Sequence, residues 1–336
     1  MLIFIARRTF LLGLMLIGLL AITFSISHLA PSDPAALAAG PDATLEMIDD
    51  IRKEYRLDQP LYVQFFIYTK GVLQGNFGKS IHTQHLVYDD IVRFFPATLQ
   101  LVLLSIIFAI FLGIPLGIFS AVYKNNIIDH FIRFICVSGV AFPMFWLAMM
   151  LQLYLSSLNE FFPLGGMLNM MTDPPENYTN ILFLDSLISG NYHVFKENLY
   201  HSFLPALSLS FPALASIIRV NRAEMLETLK KDYILSAKSN GISTLKIIFI
   251  YAQKNAILPT LSMIGLRFGW MLGGTVLVET VFNWPGIGLY AFESAIESDF
   301  QPIMGATLTL GCFFMLTNFI IDLLYSYLDP RVRNQV

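Results

Sequence analysis

Residues 219–259, RVNRAEMLETLKKDYILSAKSNGISTLKIIFIYAQKNAILP, form a basic island between two apolar runs, with Arg219, Arg222, Lys230, Lys231, Lys238, Lys246 and Lys254 in a single segment. Leu226 and Leu229, then Tyr233, Ile234 and Ala237, recur at helical spacing. Gly241 supplies the residue type that ends a helix in a left-handed turn, and Ser243 stands where the next helix needs an N-cap. That second helix is expected over 244–255, with Leu245, Ile248 and Ala252 as its apolar stripe. The segment reads as helix, glycine turn, helix: an elbow with one polar and one apolar side.

The composition puts the flanking runs in a bilayer. Of 336 residues, 55% are hydrophobic and 13% charged, against about 25% charged in soluble domains, and the mean hydropathy is +0.62. Residues 9–32, 94–123, 134–159, 198–218 and 300–321 contain no Asp, Glu, Lys or Arg. Each exceeds the ~20 residues that cross a hydrocarbon core. A further run, 256–278, is long enough and contains Arg267. These runs predict an all-α polytopic membrane protein of six transmembrane helices.

Charge orients them. With the N-terminus inside, Arg7, Arg8, Lys124, Arg133, the island, Arg331 and Arg333 fall on the cytoplasmic side. Arg52, Lys53, Arg56, Lys70, Lys79 and Arg93 share one long external loop, which weighs little in the positive-inside bias. Both termini are therefore expected in the cytoplasm. The first run resembles a secretory signal, with a basic start and small residues at Ala38 and Ala39, but its length favours a retained anchor.

The loop over 30–94 is organised. Residues 45–58 alternate apolar and charged side chains at helical spacing behind Thr44 as N-cap, and Pro60 opens a second helix carrying Tyr62, Phe65, Phe66 and Tyr68. A second external loop, 160–197, has turn-forming prolines and a short half-buried helix over 182–188.

Enzymatic and metal signatures are weak. Residues 75–80, GNFGKS, end like a phosphate loop, but Leu73 stands where the motif needs its first glycine. The expected external location also separates it from cytosolic ATP, so the energy source must lie on another polypeptide. None of His28, His82, His85, His130, His193 and His201 has a paired metal-ligand spacing, and Cys136 and Cys312 read as small packing residues. No cofactor, metal or nucleic acid is expected. Arg267 would cost about 2.5–3.5 kcal/mol facing lipid near mid-bilayer, which directs it to a protein interior or a wet cavity. Arg267 and, one turn or so from that helix's outer end, Glu279 are the candidate residues of a translocation path. Asp322 reads as a structural cap or ion pair. Pro115, Pro143, Pro205 and Pro212 bend their spans, and Gly269, Gly273 and Gly274 permit close packing.

The elbow resembles the EAA loop of permease subunits in binding-protein-dependent ABC importers: Leu235, Ser236 and Ala237 occupy the three-residue signature, followed by Gly241 and Leu258-Pro259. Asp232, Tyr233, Ile234, Ala237 and Gly241 are similar to the run in the peptide and nickel branch, and so are HLAPSDPAALAAGPDAT (28–44), LDQPLYVQF (57–65), FPATLQL (95–101), GIPLGI (113–118) and ETVFNWPGIG (279–288). The resemblance covers nearly the whole chain. It implies the type I importer permease fold, with residues 1–94 as an N-terminal helix and external loop and 95–330 as the permease domain, coupling loop at 219–257. It further implies a bacterial inner-membrane subunit that moves peptides inward beside a second homologous permease, two ATP-binding subunits and an extracytoplasmic binding protein. Asp232, Tyr233, Ala237, Gly241 and Pro259 would form the ATPase-coupling loop, Ala237 being small enough to seat in a groove on the motor. Nickel, opine or glutathione permeases share these motifs. A proton-coupled secondary transporter would need acidic residues within several spans, where only Glu279 and Asp322 approach one.

Overall fold

The computed structural model describes residues 2–29, 43–54 and 58–328. Most of the 28–44 motif, Arg56, Arg331 and Arg333 lie outside them, as does the side chain of Asp322. In chain order the helices are α1 (Leu2–Leu29), α2 (Leu45–Glu54), α3 (Leu61–Leu73), α4 (Val87–Val122), α5 (Ile127–Ala141), α6 (Met144–Ser157), α7 (Leu182–Ile188), α8 (Tyr192–Thr228), α9 (Asp232–Ser239), α10 (Thr244–Val281), α11 (Ile287–Ile296) and α12 (Phe300–Leu328). Among the described residues there is no strand, only a bridge between Lys79 and Leu86.

Among the described residues, five stretches are long and apolar enough to cross a membrane: Ala6–Ser25, Val87–Val122, Tyr192–Thr228, Thr244–Val281 and Phe300–Ile321. The run expected as a single third span is broken. α5 and α6 meet at an angle of 108° because Phe142 stands before Pro143, and the proline ring holds Phe142 extended at φ −85°, ψ 131°. Six spans result only if this bent pair counts as one.

The chain folds as two compact units, Met1–Thr98 with Pro285–Met315 and Leu99–Trp284 with Leu316–Val336. In the first, the expected N-cap holds: the Thr44 hydroxyl accepts from Met47 N–H at 3.4 Å, and Pro60 precedes α3 as expected. Phe65 and Tyr68 of α3 set their rings 5.4 and 5.9 Å from Phe24 of α1. The 75–80 segment is no phosphate loop: buried Ser80 donates to Asp299 at 2.8 Å, and Ile81 and His82 give their N–H groups to the same carboxylate. Asp90, also buried, accepts from Tyr290 and Thr83. The histidines of this region pair with carboxylates, His82 with Glu297 and His85 with Asp90.

In the second unit α8 is the central element, packed on α5, α6, α7 and α10. Close approach explains two glycines: a Cβ at Gly113 of α4 would come within 2.8 Å of Ile217, and one at Gly139 of α5 within 2.8 Å of Ala215. The small residues of the fifth span divide by role. Gly269 is buried and Gly274 faces Met144, whereas a Cβ at Gly273 would meet nothing within 4 Å. α7 falls on the short helix expected at 182–188, anchored where Phe183 N–H donates to buried Gln100.

Candidate functional site

The elbow begins where α8 ends. Lys230 and Lys231 turn the chain, and α9 starts with Asp232 in its first turn, where a carboxylate complements the helix dipole. The helix stops as its sequence predicts. Gly241 takes φ +72°, its N–H donates to Lys238 O at 3.0 Å, and Ile242 N–H reaches back to Ala237 O at 3.2 Å. This pair of bonds satisfies the last carbonyls in the manner of a Schellman cap. A Cβ on Gly241 would meet nothing within 4 Å, so glycine is required by the backbone angle alone.

Downstream, the structure departs from the expected pattern. Ser243 occupies the N-cap position, but its side chain makes no capping bond. The helix does not end near 255; it continues through Pro259 to Val281 as one element, α10. Its first turns widen into a π-helix over Ile247–Ala252. The wider turn shifts the buried face from the stripe expected at a 3.6-residue period: Ile247, Ile248 and Ala252 are buried, while Leu245 is 69% exposed.

Those residues close an apolar cluster with Ile118, Ala121, Met225, Ile234, Ala237 and Ala256, against which Leu226, Leu229 and Ile242 pack. Ala237 therefore turns inward. Its expected place in a groove on a motor subunit is corrected by this packing: the small side chain lets α9 lie close on α10. The outward side belongs to Tyr233, Leu235, Phe249 and Ile250, all at least 40% exposed. Tyr233, Ile250, Tyr251, Lys254 and Asn255 line an open groove there. Asn255 Nδ2 donates to the Tyr233 hydroxyl at 3.0 Å, four residues before Pro259, whose missing N–H would otherwise bond the Asn255 carbonyl. The coupling-loop candidates thus divide: Asp232, Tyr233, Ala237 and Gly241 belong to one compact elbow, and Pro259 lies inside the long helix leading away from it.

Two neighbours on α8 tie this elbow to the rest of its unit. Asn221, fully buried, donates to Ile114 O of α4 at 3.1 Å and accepts from Gln253 and Thr260 of α10. Arg222 makes a bidentate pair with Asp129 of α5, both contacts at 2.8 Å. Ser120 and the Asn125 N–H donate to the same carboxylate. The sequence places Arg222 in the basic island without a partner and does not single out Asp129. A polar pair near the end of an apolar span, Asn221-Arg222, was the available signal.

The path candidates lie elsewhere. Arg267 is partly buried on α10, and its Nε has no hydrogen-bond partner among the described residues. Glu279 is fully buried and has a partner, and its backbone carbonyl accepts from Trp284 N–H at 2.9 Å. The two are 12 positions apart on one helix, about 18 Å of rise, and form no common site. No group of three or more His, Cys, Asp or Glu suited to a metal occurs among the described residues.

The chain belongs to the family of binding-protein-dependent transport system inner membrane components, whose model matches residues 113–334, with the family's N-terminal model matching residues 1–102. It is a multi-pass inner-membrane permease subunit of an ABC transport system. It is similar, at 41% identity over 97% of this chain and 96% of the relative, to the probable D,D-dipeptide transport system permease protein DdpB of Escherichia coli (strain K12). The dipeptide transport system permease protein DppB of Alkalihalophilus pseudofirmus is 38% identical over 99% of this chain and 100% of its own length. The glutathione transport system permease protein GsiC of Escherichia coli (strain K12) is 33% identical over 95% and 97%.

Proposed function

We propose that this subunit carries di- or oligopeptides inward across the cytoplasmic membrane, driven by ATP hydrolysis on separate subunits. Full-length similarity to dipeptide permeases at 41% and 38% carries the cargo reading. The working complex holds this chain, a second homologous permease, two ATP-binding subunits and an extracytoplasmic binding protein. The elbow is the coupling element. Its inward face is locked to α8 and α10 by the buried cluster, and its outward face presents Tyr233, Leu235, Phe249 and Ile250. Apolar side chains so grouped on a surface mark an interaction site. A motor that moves the outer face therefore moves α8 and α10 with it. Uptake of labelled dipeptides, glutathione and nickel into proteoliposomes holding the complex tests the cargo; the dipeptide is expected to win the competition, and preference for glutathione would favour the 33% identical relative's activity instead.

The same reading puts both termini and the elbow in the cytoplasm and α2 outside. With Cys136 and Cys312 replaced by alanine, Ser239→Cys should label with an impermeant maleimide only from the inside and Glu46→Cys only from the outside. Labelling of both from one face would overturn this topology.

A further inference from the structure

α10 carries a cation that no described carboxylate neutralises. Arg267 lies 14 positions before Val281 and 23 after Thr244, about 21 and 35 Å along the helix axis. Such a helix exceeds the ~30 Å hydrocarbon core, and Arg267 falls well inside it. A guanidinium cannot shed its charge there and offers only donors. Nε of Arg267 is shut off from solvent without an acceptor. Arg219, on α8, is a second cation within electrostatic range of it. Three positions along α8 from Arg219, Arg222 has its carboxylate in Asp129; no described carboxylate pairs with Arg219 or Arg267. A guanidinium held there without a counterion attracts an anion, and its fork matches a carboxylate in geometry as well as charge.

We propose that Arg267, with Arg219 beside it, is the anion-binding position of the translocation path and receives the C-terminal carboxylate of the peptide cargo. This rests on the peptide reading above. A free C-terminal acid is common to every unmodified peptide whatever its side chains and is the common group that a guanidinium attracts, so a single fixed guanidinium serves many sequences. Arg219 raises the local positive potential and is exposed. Arg267 makes the contact.

The test compares uptake of one dipeptide as the free acid and as the C-terminal amide, in proteoliposomes containing the whole complex and at peptide concentrations that saturate the binding protein. The binding protein's own preference enters wild type and variants equally and cancels in the ratio of ratios. Loss of a charge-assisted hydrogen bond is worth about ten- to a hundred-fold. Arg267→Gln is therefore expected to lower acid uptake by about that factor and to lower amide uptake far less, collapsing the acid-to-amide preference. Arg267→Lys should retain part of it and Arg219→Gln should reduce it less. An unchanged preference in Arg267→Gln overturns the proposal, and if the permeases also fail to co-purify, the carboxylate that Arg267 awaits belongs to the second permease subunit. Failure of wild type to take up the free acid at all is a different result: it refutes the peptide reading and removes this inference with it.

Discussion

Gly241→Val is expected to leave the spans inserted and the permease subunits assembled, yet to reduce binding-protein-stimulated ATP hydrolysis by about 5–30-fold. At φ +72° an L-residue loses about 1–2 kcal/mol, and a β-branched one fits worse still. The space around the position is open, so the loss is conformational and confined to the cap. Without the cap, the bonds from Gly241 and Ile242 to Lys238 and Ala237 no longer fix the angle between α9 and α10. One or two kcal/mol removed from that arrangement shifts its population by a factor of about 5–30. Gly241→Asn should restore much of the stimulation, since asparagine tolerates the left-handed region. Ala237→Trp reaches the same end from the packing side: an indole forced into the cluster of Met225, Ile234, Ile247 and Ile248 overpacks it by about 1–3 kcal/mol or more and pushes α9 off α10. Leu235→Asp separates the two faces of the elbow, because Leu235 is 53% exposed and its loss leaves the cluster intact. It should release the ATPase subunits on co-purification without altering the thermal stability of the permease. Wild-type stimulation in all three variants would remove the elbow from the coupling path.

What the sequence disclosed and what it hid follow from the kind of signal each feature leaves. Helix ends with strong local chemistry were legible: Gly241 as a left-handed cap, Thr44 and Pro60 ahead of α2 and α3, and the short helix at 182–188. So were the apolar spans, because hydropathy measures the environment of a run. It is blind to direction, which is why residues 134–159 read as one rod although Pro143 turns the chain by 108°. Periodicity failed at the start of α10 for a related reason. The stripe through Leu245, Ile248 and Ala252 assumes 3.6 residues per turn, and the π-helix over Ile247–Ala252 breaks that assumption, exposing Leu245 and burying Ile247. Burial of charge was hidden most completely. Counting Arg222 with the island's other cations gives it a side of the membrane and no partner, whereas it pairs with Asp129, 93 positions earlier in sequence and fully buried. An ion pair between distant segments leaves no local pattern, since each half alone looks like an ordinary charge beside a span. The Nε of Arg267 is the converse case: its cost in the membrane was legible, while its lack of a partner among the described residues required the fold.

The Arg222–Asp129 pair should be the most sensitive contact in the second unit. Asp129 is wholly buried and accepts twice from one edge of the guanidinium, through Nε and Nη2, as well as from Ser120 and from the backbone N–H of Asn125, a non-glycine residue held at φ +61°. Asp129→Ala withdraws every one of those acceptors at once. It leaves the guanidinium with Ser120 as its remaining partner and frees the turn between α4 and α5 to relax. Breaking a buried pair from one side costs about 3–5 kcal/mol. Removing both charges costs much less, because no charge is left unpaired. Asp129→Ala and Arg222→Ala are each expected to unfold at markedly lower denaturant in mixed micelles, and Asp129→Leu with Arg222→Met to recover most of the loss. The recovery should stop at stability. Arg222 follows Asn221, whose bonds to Ile114, Gln253 and Thr260 join α8 to α4 and α10 immediately above the elbow. The charge pair extends that junction to α5. A double variant that is stable yet still poorly stimulated by loaded binding protein would show that the pair transmits motion from the elbow as well as holding the helices. Equal instability of single and double variants would instead mean that apolar side chains of similar volume cannot stand in for the bonds that Asp129 accepts from Ser120 and Asn125.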